Sequence, residues 1–379
     1  MNGTRHDIGN DLPRSLPGTA APERRTADES GAAAGASGGK RGPLLPLSRK
    51  AAIGIAGGLA LAATLLGLAS GAAPLHLGQL LAAATGGGSP LADTVLFQLR
   101  LPRVLLGLLV GASLASCGAG VQALFRNPLA EPGLIGISAG AAVGAAVVFT
   151  LLPNSSFTVW LLPAAAFLGA ALCTIGIVKL AARDGATRIS TLLLAGLALN
   201  AIAGGAVALL ATLGGNTALR NLSMWLFGSL GRASWPLLTI SAPFMLLPCV
   251  WLPFRARALD ALLLGEAEAG HLGVGVERLK REILVTVVLG TGAAVAVSGV
   301  IGFVGLLMPH LVRLIAGPRH AGVLTAGALF GAALLVGADT AGRTLLAPTA
   351  LPVGVLTALI GGPLFLVLLA RTSRHAELM

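Results

Sequence analysis

The stretch LRLPRVLLGLLVGASLASCGAGVQALFRNPLAEPGLIGISAGA, residues 99–141, decides how this chain is read. Two long apolar runs of mostly small residues are interrupted by a polar knot, RNPLAEP at Arg126–Pro132, and the first run opens on RLPR at Arg100–Arg103. A charge at the centre of a bilayer costs about 2.5 to 3.5 kcal/mol on insertion scales, so charges and helix breakers between apolar runs belong at membrane edges or in protein-lined cavities. The stretch therefore predicts spans of a polytopic protein, not a lone anchor.

Composition extends this reading to the whole chain. It is 55% apolar and 11% charged, its mean hydropathy is +0.85, and apolar segments of about 18 residues or more recur from Ala51 onward. The net charge of +11 does not indicate nucleic acid. Lys and Arg lie at the ends of apolar runs and in the first fifty residues, where the positive-inside rule places them. Cys117, Cys173 and Cys249 sit singly inside apolar runs, without CxxC or Cys/His spacing, and read as small packing residues.

The expected spans are 51–70, 103–124, 133–152, 159–182, 190–213, 236–254, 282–302, 305–317, 323–341 and 353–370, giving an all-α polytopic membrane protein with about ten transmembrane helices. The eighth is short for a full crossing and is expected to be partly re-entrant or covered by its neighbours. With the N-terminus cytoplasmic, the inner connections carry Arg126, Lys179, Arg183, Arg188, Arg255, Arg257, Arg278, Lys280, Arg281 and Arg319, while the outer ones keep Arg100, Arg103, Arg220, Arg232 and Arg343. That asymmetry supports both the count and the orientation, with both termini inside.

Residues 1–50 are rich in Gly, Ala, Ser, Pro and Arg with no apolar period, and read as a disordered basic cytoplasmic tail before a permease domain over 51–375. Arg24 and Arg25 stand too far from the apolar run for a twin-arginine signal. GASGGKR, ending at Arg41, lacks the first glycine and the Ser or Thr of a phosphate loop. Within the spans, Gly107, Gly111 and Ala115, then Gly140 and Gly144, recur at helical spacing that lets backbones approach closely. The pairs GA at Gly111 and Gly292, and SAGAAVGAA at Ser138 with TAGALFGAA at Thr325, relate spans inconsistently in direction and define no single repeat.

The order of blocks carries a resemblance. Residues 99–141, WLFGSL at Trp225, LGEAEAGHLGV at Leu264, SGVIGFVGLLMPHLVR at Ser298, GADTAGR at Gly337 and LPVGVLTALIGGPLFLVLL at Leu351 resemble the FecCD family, the permease subunits of bacterial ABC importers for haem, ferric siderophores and vitamin B12. The resemblance covers nearly everything after residue 50 and leaves the tail unexplained. It implies an inner-membrane homodimer with the pathway between two copies. Two copies of an ABC ATPase subunit, which carries ATP and magnesium, would drive it, and a periplasmic substrate-binding protein would feed it. The chain itself is then a transport subunit without catalytic, cofactor or metal residues.

The resemblance also implies roles at both faces. The segment near 258–276, with Leu264, Gly265, Glu266, Ala267, Glu268, Ala269, Gly270, His271, Leu272, Gly273 and Val274, becomes the coupling segment docked on the ATPase; from the residues alone, a short helix with small residues on one face suits a groove on a partner. Arg100, Arg103 and Arg343 become the outer docking residues for carboxylates of the binding protein. Without the resemblance, interfacial snorkelling is the favoured reading of these arginines.

Polar residues elsewhere keep two readings. The knot is read first as a cytoplasmic turn in which Arg126, Asn127 and Glu131 satisfy backbone groups and one another, with a place near the gate as the second reading. Ser138 and Asn200 lie at membrane depth and are pathway candidates, or else ordinary interhelical hydrogen-bonding residues. None of the six histidines has metal spacing, and His310 in GLLMPH reads as structural rather than haem-ligating. Haem is the preferred cargo on overall resemblance to haemin permeases, with ferric siderophore or cobalamin as alternatives. The competing class is an ATPase-independent secondary transporter; against it stand the coupling-like segment and the lack of a paired intramembrane carboxylate relay. No nucleophile and base arrangement points to an enzyme.

Overall fold

A computed structural model of the chain describes residues 47–71, 77–152, 157–183, 186–345 and 349–376. The tail expected over 1–50 falls almost wholly outside them. Helix α1 runs Arg49–Ala69, its N-terminus capped by the Ser48 hydroxyl, which accepts the Ala51 N–H at 3.2 Å. Short helices α2 (Leu77–Ala84) and α3 (Pro90–Asp93) lead into a π-helical turn, Thr94–Arg100, that continues directly into α4 (Leu101–Leu124). The widened turn has a cause. Pro102 lacks an N–H and its ring crowds the preceding turn, and the ladder shifts to i−5 bonding, with Leu101 N–H reaching Leu96 O.

The rest of the bundle is α5 (Ile137–Leu151), α6 (Thr158–Ala181), a two-residue antiparallel ladder of β1 (Ala182–Arg183) and β2 (Ala186–Thr187), α7 (Ile189–Leu213) and α8 (Gly215–Leu226). There follow α9 (Trp235–Phe254), α10 (Ala256–Leu262), α11 (Glu266–His271), α12 (Val276–Ser298), α13 (Val304–Ala316), α14 (His320–Thr344) and α15 (Val353–Ala376). Among the described residues, seven helices are long and apolar enough to cross a membrane, and α5, α13 and the Val353–Val367 part of α15 are shorter apolar helices. These ten coincide with the ten expected spans.

The bounds of two expected spans need correction. The third span was expected from 133, but Pro132–Ile135 forms a 3-10 turn and α5 begins only at Ile137, after Gly136 in the left-handed region at φ +79°. The seventh begins at Val276 rather than 282, because its first turn is stabilised by an internal ion pair described below, and it ends at Gly299, whose φ is +73°. The amphipathic helix α8, which buries Ala218, Leu222 and Trp225, lies in what the sequence presented only as a connection.

Small residues determine how the helices pack. In lipid, association depends on close contact rather than on a hydrophobic drive. A Cβ on Gly111 would lie 2.2 Å from Gly331 O, and one on Gly331 would lie 2.4 Å from Gly111 O, so α4 and α14 cross backbone to backbone. Gly140 and Gly169 do the same for α5 and α6, and Gly118 places α4 against Gly305 of α13 at 1.9 Å by the same measure. Helices α4 and α12 form the buried centre, with 78% and 72% of their apolar windows covered, whereas α7 is only 17% covered.

The polar knot is less shallow than a surface turn. Arg126 to Leu129 are exposed, with the Asn127 side chain accepting the Leu129 N–H at 2.9 Å. From Ala130 the chain folds back into the bundle: Thr174 Oγ1 donates to Ile135 O at 3.0 Å, Asn200 Nδ2 to Gly133 O at 3.1 Å, and Leu134 O lies against Gly196. Thr174 and Gly196 each stand seven residues inside their helix ends, so the 3-10 turn reaches about 10 Å into the bundle at 1.5 Å per residue. Glu131 does not pair with Arg126 as the turn reading expected. Its carboxylate accepts the Phe303 N–H instead, at 3.2 Å.

Candidate functional site

At the face carrying RLPR, the three arginines singled out from sequence converge on the C-terminal end of α1. A helix end leaves carbonyls without intrahelical donors, and cations are favoured there. Arg100 Nη1 donates to Leu68 O and Ala69 O at 2.7 and 2.9 Å, and Arg343 Nη2 donates to Gly67 O at 2.6 Å. Arg103 forms a two-pronged pair with Asp339, Nε to Oδ2 at 2.9 Å and Nη2 to Oδ1 at 2.8 Å, and Arg343 Nε stands 3.4 Å from the same carboxylate. Arg100 and Arg343 are buried, while Arg103 keeps 20% of its side chain exposed. Asp339 was missed as a member of this group; its i,i+4 spacing to Arg343 was the available signal.

At the opposite face, α10 and α11 stand as a short helical bracket. Helix α11 spans Glu266 to His271 and follows Gly265, whose φ of +135° only glycine adopts readily. Ala269 is its buried anchor, and Leu264, Ala267, Glu268, Gly270, His271 and Leu272 form an exposed ridge of apolar and small groups with one carboxylate and one imidazole. Val274 N–H returns to Ala269 O and closes the segment.

Lys280, 2% exposed, holds this bracket to the bundle. Its Nζ donates to Glu266 at 2.7 Å, to Glu277 at 2.9 Å and to Thr187 O at 3.1 Å, while Glu277 accepts the Thr187 N–H at 3.0 Å. One ammonium therefore joins α11, the first turn of α12 and strand β2, and all three of its donors are used. Sequence reading counted Lys280 only as a topological charge. A second tie joins α10 to α14: the buried His320 meets Asp260 Oδ1 through Nδ1 at 2.7 Å and through its backbone N–H at 2.9 Å. Burial raises the Asp260 carboxyl, but the His320 hydrogen bonds outweigh it and hold the group below the usual carboxylate range.

Between the faces, Asn200 uses its Nδ2 on the 3-10 turn while its buried Oδ1 has no partner, and Ser138 lines a cavity of about 20 Å³ with Glu131, Thr291 and Gly305. Gln122, 2% exposed, donates to Gly305 O and Leu306 O at 3.3 and 3.2 Å and accepts from Arg313. Arg313 is a second missed residue, a cation within the expected eighth span. Among the described residues no group of His, Cys, Asp or Glu could hold a metal ion.

The arrangement has relatives. The model of the FecCD transport family matches residues 59–371. The chain belongs to the FecCD transport family. Within it, the chain is 46% identical over 276 residues to the Hemin transport system permease protein HmuU of Yersinia pestis, covering 72% of this chain and 82% of that protein. It is 42% identical over 278 residues to the Cobalamin import system permease protein BtuC of Halobacterium salinarum, covering 73% and 74%. The Fe(3+)-citrate import system permease protein YfmE of Bacillus subtilis is 39% identical over 289 residues, covering 74% and 84%. A solved structure described as an inward-facing conformation of a metal-chelate type ABC transporter aligns with a TM-score of 0.74 at 30% identity, over 85% of this chain and 99% of that one. As a FecCD chain the protein is a membrane transport subunit and not itself an enzyme.

Proposed function

We propose that this FecCD chain is the inner-membrane permease of an ATP-driven importer that moves an iron chelate, with haem as preferred cargo, from a periplasmic binding protein to the cytoplasm. The observation that carries the reading is the match of residues 59–371 to the FecCD transport family, together with the identity to permeases named for hemin, cobalamin and Fe(3+)-citrate. The preference for haem rests on the 46% identity to a hemin permease.

In this reading two copies of the chain enclose the pathway, both termini face the cytoplasm, and two copies of a separate ATPase bind ATP and magnesium. The exposed ridge from Leu264 to Val274 docks on the ATPase. Its tie through Glu266 and Lys280 carries the push of ATPase closure into α12, because a fully hydrogen-bonded ammonium transmits force without rotamer slack. At the outer face Arg100, Arg103 and Arg343 receive carboxylates of the binding protein. Arg103 is the most accessible of them, and Asp339 holds it in place until an incoming carboxylate competes for the guanidinium. Ser138 and Asn200 remain the pathway candidates.

Cargo choice is checked in proteoliposomes that contain the permease, its ATPase and its binding protein. Haem uptake is expected to exceed uptake of ferric siderophore and cobalamin offered at equal concentration, and excess haem to suppress the other two. Cobalamin uptake that is faster and resistant to haem competition would reassign the cargo and leave the permease class intact.

A further inference from the structure

Two interruptions of the helical ladder meet inside the bundle. One is the 3-10 turn Pro132–Ile135 between α4 and α5, and the other is the non-helical Gly299–Phe303 link between α12 and α13. Non-helical backbone at membrane depth is tolerated only where protein satisfies it, and a single side chain bridges these two. Glu131 Oε1 accepts the N–H of Phe303, the residue that caps α13. Phe303 is held at φ +68°, an unusual conformation for a bulky residue and one that persists only where its surroundings impose it.

Each end of this bridge reaches a different helix. On one side the Phe303 ring fills a notch in α15, where a Cβ on Gly361 would come within 2.5 Å of Phe303 Cβ. On the other side the 3-10 turn is fastened to α7, by Asn200 to Gly133 O and by the contact of Gly196 with Leu134 O. Helix α7 is the least covered of the long helices, and α15 leaves Leu359, Ile360 and Leu366 exposed. The bridge is not packed solid. Beside the carboxylate lies the cavity of about 20 Å³, room for one water, and it is lined by Thr291, whose buried hydroxyl has no hydrogen-bond partner. A carboxylate with vacant space and a spare hydroxyl beside it can exchange partners without leaving a charge unsolvated.

We propose that Glu131 is a positioning residue that couples α7 to α15 during transport, through its hydrogen bond to Phe303 N–H. This rests on the reading of the chain as a transport permease. The bond is made in the conformation described, and movement of either helix is transmitted to the other while it holds. A purely structural role would require only that the carboxylate cap α13. The coupling role requires that loss of the bond disconnect the helices even where the bundle is intact.

The test is a double-mutant cycle of Glu131→Leu, which removes the acceptor, and Phe303→Gly in the reconstituted permease–ATPase–binding-protein complex. Phe303→Gly removes the ring but keeps the N–H and the positive φ. Spin labels at Leu197→Cys in α7 and Leu366→Cys in α15 report the distance between the helices by pulsed EPR, with and without ATP. Each single variant is expected to lower substrate imported per ATP by about fivefold, the lower end of ordinary coupling between sites, and to abolish the ATP-dependent distance change. The double variant is expected to be no worse than the worse single. Additive losses, or imported substrate per ATP and distances unchanged in Glu131→Leu, would overturn the proposal. Melting midpoints of the four proteins give a readout that needs no transport: non-additive shifts support the bridge even if the parent complex imports nothing, an outcome that counts against the functional reading alone, whereas additive shifts count against the bridge.

Discussion

Replacing Lys280 by methionine is expected to disconnect the α11 bracket from the bundle. Methionine keeps the length and apolar stem of the side chain but removes the ammonium that satisfies Glu266, Glu277 and Thr187 O together. Breaking a buried pair from one side costs about 3 to 5 kcal/mol because the partner charge is left behind. Here the lower end applies, since Glu266 and Glu277 keep 39% and 32% of their side chains exposed and can take up water. A destabilisation of about 3 kcal/mol, read as a lowered melting midpoint in detergent, is the expected result. Functionally the variant should still bind the ATPase through the exposed Leu264 and Leu272 but import poorly for each ATP hydrolysed. Adding Glu266→Gln removes one orphaned charge and should recover part of the stability but none of the coupling. A Lys280→Met protein with normal melting and normal uptake per ATP would exclude this residue from force transfer.

The second large effect concerns the α4–α13 crossing. Valine at Gly118 would place its Cβ 1.9 Å from Gly305 O and 2.4 Å from the Gly305 carbonyl carbon, where about 3.5 Å is an ordinary contact. These are backbone atoms and cannot rotate aside, so the helices must separate. Overpacking a core costs about 1 to 3 kcal/mol when side chains can adjust, and more where they cannot. Gly118→Val is therefore expected to abolish recovery of a monodisperse protein, and Gly118→Ala to lower its melting midpoint sharply. Gly204→Ala in α7, where nothing lies within 4 Å of the added carbon, serves as the control and should be neutral or slightly stabilising. Equal behaviour of Gly118→Ala and Gly204→Ala would show that the close crossing is not required.

The residues that made the fold legible were the apolar runs and their punctuation. Each of the ten expected segments coincides with a helix because a bilayer demands long apolar stretches, and small residues such as Gly111 and Gly140 mark where those helices touch. The re-entrant course of the chain from Ala130 to Gly136 was not legible. An apolar sequence at membrane depth looks alike whether its carbonyls are bonded within a helix or to Thr174 and Asn200 on neighbouring ones. The eighth span was flagged as short, and α13 is indeed a 13-residue helix that begins at Val304.

The sites divide in the same way. The family resemblance, more than local pattern, singles out Arg100, Arg103, Arg343 and the segment 264–274. Local spacing offers only the Asp339–Arg343 and Glu277–Lys280 pairs, and the other partners depend on contacts between distant parts of the chain. Asp339 lies 236 residues from Arg103, Thr187 lies 93 from Lys280, and Phe303 lies 172 from Glu131. These partners give each site its character: the three arginines are carbonyl caps and ion-pair partners of Asp339, the bracket is anchored by an ammonium, and the polar knot reaches a second broken helix.

In the proposed function, ATP hydrolysis on a partner subunit, and not an ion gradient, drives cargo through this chain. The most direct measurement is haem uptake into proteoliposomes with the ATPase present or omitted, under ATP or under an imposed proton gradient alone. Uptake is expected only when ATPase, ATP and binding protein are all present, with no response to the gradient. Uptake driven by the gradient in vesicles that hold this chain alone would contradict it.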